Sequence, residues 1–163
     1  MAGAGLIASL SSVWLLAGAG KLAVPRVAAS FLARLTNRPV ATRTIRAFAI
    51  VEIAISVGLA TPVVRPWVAL ASAVASVVLL AILAHARTVL SEQVPCGCFG
   101  PLVLNNRIGV GQLILVVAML LASVMILALR TEERYFGLYA QAIAVAAVMV
   151  LTCLRYLRLR RAA

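Results

Sequence analysis

Charge is what this chain has least of. Only 12% of its 163 residues are charged, four of them acidic, and the charges stand at a few places with long uncharged runs between them. Hydrophobic residues make up 64% of the whole, which excludes an ordinary water-soluble domain and indicates a membrane protein. The runs also lack the ten-residue alternation of barrel strands and are dense in Leu, Ala and Val. That excludes a membrane β-barrel and leaves helices, in which every backbone polar group is satisfied internally. No basic stretch precedes Lys21, so the first apolar run is expected to stay as a helix rather than to serve as a secretory signal peptide. Nothing strand-like surrounds Gly18, Gly20, Gly109 or Gly111, so these glycines read as close-packing positions between helices and not as a nucleotide loop. A formal net charge of +11 would suit nucleic acid, but the basic residues flank apolar runs instead of forming one soluble basic domain. The lipid bilayer and its headgroups account for them, and no nucleic-acid partner is expected.

What is present is a series of spanning lengths. Residues 1–20 are an uncharged run of 20, 66–86 a run of 21 with only His85 ionisable, 108–129 a run of 22 and 135–154 another of 20. At about 1.5 Å per residue each can cross a hydrocarbon core of about 30 Å. Residues 47–64 add 18 more, apolar except for Glu52. The fold class is therefore all-α: one polytopic membrane helix bundle with five transmembrane helices, at about 3–23, 45–62, 66–86, 108–130 and 135–154.

Between the first two spans, Val24, Val27, Ala28, Phe31, Leu32 and Leu35 recur at helical spacing, with Pro25 at the start and Arg26 and Arg34 on the other side. This predicts a short helix lying in the membrane interface, broken at Thr36-Asn37-Arg38-Pro39. Thr61-Pro62 to Pro66 predicts a tight link that makes spans two and three an antiparallel hairpin. The loop at 87–107 lacks an apolar pattern and holds two of the three cysteines. Twelve Lys and Arg residues border the first loop, the third loop and the tail, against three, Arg65, Arg130 and Arg134, on the other side. The positive-inside rule then puts the N-terminus outside and the cysteine loop in the cytoplasm.

Candidate chemistry centres on Cys96-Gly97-Cys98-Phe99-Gly100-Pro101. Two thiols one residue apart can close a small disulfide ring only if the backbone between them bends, which Gly97 permits. So small a ring is strained, and strained disulfides exchange readily. A passive disulfide and two unpaired thiols are the competing readings. Cys153, in the fifth span about one turn from the face that carries the cysteine loop, is either a resolving thiol or a small buried hydrophobe. His85, at the end of span three on that same face, can accept a thiol proton or, as a cation, lower a thiol pKa.

Glu52 is the most expensive residue in the chain, because a carboxylate inside a span costs several kcal/mol unless it is neutralised or paired. It lies six residues beyond Arg46, roughly 9 Å below the face of the first loop. Lys21 closes the first span on that face and is its expected ion-pair partner. Asn105, Asn106 and Arg107 read as the structural start of span four, with Asn106 as N-cap and Arg107 as an interfacial anchor.

Gly18-Ala19-Gly20-Lys21-Leu22 with Pro25, then Val51-Glu52, then Cys96-Gly97-Cys98-Phe99-Gly100 ahead of an Asn-Arg helix start, resembles the methylamine-utilisation MauE group of DoxX-like membrane proteins. The likeness runs from span one to span four. It implies a four-helix core followed here by one C-terminal helix, and a redox-associated protein that forms or maintains disulfides in extracytoplasmic proteins beside a thioredoxin-like partner. On that resemblance Cys96 and Cys98 are the exchanging pair. For a thiol–disulfide exchange protein of the membrane a quinone is a candidate terminal partner, one that no residue of the chain by itself indicates. Two other functions compete. One is a soft-metal site built from Cys96, Cys98, Cys153 and His85. The other is a non-catalytic subunit packed among further membrane subunits.

Overall fold

A computed structural model describes residues 2–90 and 110–129. These form five helices in the order α1 (Ala2–Ala23), α2 (Pro25–Thr36), α3 (Thr42–Ala60), α4 (Arg65–Val89) and α5 (Val110–Leu129). The all-α expectation holds for the described residues, and the first four expected spans match α1, α3, α4 and α5 to within a few residues. The fifth, at 135–154, lies outside the described residues, as does most of the cysteine loop.

Each boundary has a local cause. Asn37 caps α2 with φ 52°, the left-handed conformation that asparagine tolerates at a helix end. Thr61 stops α3 in an extended conformation, which Pro62 imposes on the residue before it. Pro66 in the first turn of α4 has no backbone N–H to leave unpaired. At its other end α4 runs past residue 86 to Val89, because Arg87 and Thr88 favour no break.

Helices α1, α3, α4 and α5 make the bundle. Ser11 lies against Ser56 and Lys21 against Glu52, so α1 and α3 run antiparallel. Helix α1 packs on α3 and α5, and its Trp14 side chain reaches across the bundle to Ser72, while Ser72 with Ser123 and Leu83 with Val116 make α4 antiparallel to α5. The core of Ile7, Leu10, Trp14, Ile55, Leu59, Ala69, Met119 and Ile126 fills the centre. Helix α2 buries Phe31 against Leu83, Ala86 and Val116, so it packs at the end of the bundle where α4 finishes and α5 begins. Its Arg26 and Arg34 face outward, as an interfacial helix requires.

The outer surface is apolar. Val57, Trp67, Leu70, Val74, Val77, Ile114 and Leu121 are all exposed, a belt suited to hydrocarbon rather than water. Three stretches, Gly5–Ala23, Arg65–Val89 and Gly111–Ala128, are long and apolar enough to cross a membrane. Helix α3 is not among them because its 19 residues include Arg43, Arg46 and Glu52. Its outward face is nonetheless apolar, with Phe48, Ile50, Val51 and Val57 exposed.

Gly18 sets the spacing of α1 and α3. A Cβ there would stand 2.8 Å from the Ala49 carbonyl oxygen and 2.8 Å from Ile53 Cγ1. The carbonyl is backbone and cannot turn aside, so Gly18→Ala is expected to push the helices apart and cost about 1–3 kcal/mol, read by denaturant unfolding in detergent. Gly111 is different from the sequence expectation. Nothing lies within 4 Å of a Cβ built there, so it is not a close-packing position, and Gly111→Ala should be neutral or stabilising.

Candidate functional site

Three turns of α1 carry the polar interior. Trp14 is 1% exposed, and its indole Nε1–H donates to Ser72 Oγ at 2.8 Å. Ser123 spends its single proton on the Met119 carbonyl at 2.8 Å, so in the 2.9 Å contact between the two hydroxyls Ser72 donates and Ser123 accepts. The result is a directed chain from α1 through α4 to α5. On the α3 side, Ser56 donates to the Ser11 carbonyl at 2.8 Å. Ser72→Ala would strand the buried indole N–H, and a loss of roughly 1–2 kcal/mol in unfolding free energy is expected. Ser123→Ala should cost less, because the Ser72 hydroxyl can then turn to a carbonyl of its own helix.

One turn beyond Trp14 and Gly18, Lys21 Nζ donates to both carboxylate oxygens of Glu52, at 2.6 Å and 2.8 Å. The side chains are 11% and 9% exposed. Close packing at Gly18 brings this pair together, since a Cβ on Gly18 would also lie 3.4 Å from Glu52 Cβ. The expected ion pair is therefore present. Helix α3 starts at Thr42, so Glu52 stands ten residues in, about 15 Å along the helix axis.

Beside the pair is a cavity of about 20 Å³ lined by Trp14, Ala17, Lys21, Glu52, Leu79, Leu83, Gln112, Val116 and Met119. All four bundle helices contribute to it. Gln112 Oε1 is buried there with no hydrogen-bond partner. Sequence reasoning passed over Gln112, although a lone amide in the apolar run at 108–129 is a signal of the same kind as Glu52.

His85 is exposed on α4, one turn before its end, and does not line this cavity. Its backbone carbonyl accepts the Thr88 hydroxyl at 2.8 Å. Cys96, Cys98 and Cys153, with Asn105, Asn106 and Arg107, lie outside the described residues. In sequence, Cys96 and Cys98 stand between α4 and α5. Arg65 was expected as a flanking charge for headgroups. Instead it is 6% exposed, and its Nε–H donates at 3.0 Å to the Leu59 carbonyl, one of the last-turn acceptors that α3 itself leaves unpaired.

Long apolar helices, an outward hydrocarbon belt and an interior ion pair define a polytopic helical membrane protein. More narrowly, the chain belongs to the MauE family: the family model described as methylamine utilisation protein MauE matches residues 1–130. That match spans all five described helices and the cysteine segment. No curated protein and no solved structure matches the chain.

Proposed function

We propose that this MauE-family membrane protein is a thiol–disulfide exchange protein, supporting disulfide formation or reduction in a thioredoxin-like or extracytoplasmic partner through Cys96 and Cys98. The observation that carries the reading is the Cys96-Gly97-Cys98-Phe99-Gly100 string, placed in the segment between α4 and α5 of a family associated with the membrane.

In the reducing direction one cysteine, as thiolate, attacks a sulfur of the partner's disulfide. A mixed disulfide forms and the partner's other sulfur leaves as a thiolate. The second cysteine then attacks the mixed disulfide, closes the Cys96–Cys98 bond and frees the partner as a dithiol. Two electrons have passed to the partner. The reverse sequence oxidises a partner dithiol and leaves Cys96 and Cys98 reduced. A quinone as terminal acceptor would then take two electrons and two protons from them. His85 serves in this proposal as the group that exchanges the thiol proton, and Cys153 as a resolving thiol whose contribution one variant decides.

Cys98→Ser is the direct test. With the resolving sulfur gone, Cys96 should accumulate as a mixed disulfide with a thioredoxin-like protein, visible as a reducible band shift on non-reducing gels. Absence of any adduct, together with a stoichiometric soft metal in the purified protein, would favour the metal-binding reading instead.

A further inference from the structure

We infer that the cavity among α1, α3, α4 and α5 is a binding site for one ordered water molecule, held between the Gln112 side-chain amide and the Lys21–Glu52 pair. The inference does not depend on the thiol–disulfide reading, because none of the residues it uses is a cysteine or His85.

The size and chemistry of the cavity select the ligand. A volume of about 20 Å³ admits a water but no larger organic group, given that a single water needs roughly 10–15 Å³ by the same kind of measure. A retained water also needs at least two polar partners. Gln112 Oε1 is one: it is buried, lacks a protein partner and can only accept. The Glu52 carboxylate is the other. Lys21 Nζ occupies one site on each of its oxygens, and an ionised carboxylate offers about four. A water donating one proton to Gln112 and the other to Glu52 satisfies both.

Gln112 could have had a simpler structural duty. It is the third residue of α5, a position from which a glutamine commonly folds back onto the backbone N–H at the helix start. Its Oε1 has no partner, and Gln112 lines the cavity instead. The remaining walls among the described residues are apolar, from Leu79, Leu83, Val116 and Met119, so none of them offers the unpaired amide oxygen a donor. The bound water thereby ties the first turn of α5, where the cysteine segment ends, to the ion pair that joins α1 and α3.

The test uses the unaltered full chain in lipid nanodiscs. An NMR cross-peak from water to the non-exchanging methyl protons of Met119, which lines the same cavity, is expected, and it should be lost in Gln112→Met, a nearly isosteric change that removes the acceptor. A missing cross-peak in the unaltered protein overturns the inference, and so does a cross-peak that persists in Gln112→Met. Since the decisive signal is read on the unaltered chain, failure of the variant to fold would leave the proposal open to refutation.

Discussion

Lys21→Ala is expected to destabilise the protein by about 3–5 kcal/mol, because it leaves the Glu52 carboxylate buried in the middle of α3 without its cation. Glu52→Gln should be milder. It removes the deep charge and leaves an ammonium only two residues from the end of α1, where a long side chain can extend toward the interface. Replacing both, as Lys21→Met with Glu52→Leu, should recover most of the loss, since the desolvation of two ions disappears together with their attraction. Unfolding in graded denaturing detergent reads all three variants, and the double-mutant cycle isolates the coupling. Equal tolerance of the two single changes would show that the pair does not hold α1 to α3.

The second large effect concerns activity rather than stability. Replacing either Cys96 or Cys98 by serine should abolish exchange with a thioredoxin-like partner while leaving helix content and unfolding unchanged, because each change swaps a single side-chain atom, sulfur for oxygen. Cys153→Ser separates two roles. A resolving thiol predicts lost turnover and a trapped intermediate, whereas a packing residue predicts near-normal exchange. Turnover of a disulfide substrate by purified variants makes the comparison.

Much of the architecture was legible because the membrane narrows the choices. Runs of spanning length left few places for helices to begin and end, and Pro25, Asn37, Pro62 and Pro66 marked the breaks between them. Lys21 and Glu52 were found from energy alone, since a carboxylate in an apolar helix needs a cation and Lys21 stood on the right face. The chain of hydrogen bonds through Trp14, Ser72 and Ser123 was not legible, because it depends on the rotation of three helices about their own axes. Composition leaves that rotation open. Gly18 and Gly111 show the same limit: one sits under the Ala49 carbonyl and the other faces open space, although the sequence offers both alike as packing positions.

His85 is instructive in the other direction. Buried positions on α4 recur at Ala69, Ser72, Ala73, Ser76, Leu83 and Ala86, and residue 85 falls off that stripe, so its exposed placement could have been read from helical spacing. Arg65 could not. Charge next to a proline turn looks like a headgroup anchor, and only the packing of α3 on α4 turns its guanidinium toward the Leu59 carbonyl.

The central claim is that Cys96 and Cys98 form an exchanging pair, and alkylation mass-shift across a graded redox buffer tests it most directly. Purified protein is equilibrated at each potential, quenched with acid and labelled with a thiol reagent, and the Cys96–Cys98 peptide is weighed. The expected result is a single transition in which both labels are lost together, a two-electron step with a tenfold change in equilibrium ratio for about 30 mV. A pair that stays fully labelled, or fully unlabelled, throughout the physiological range would contradict the account.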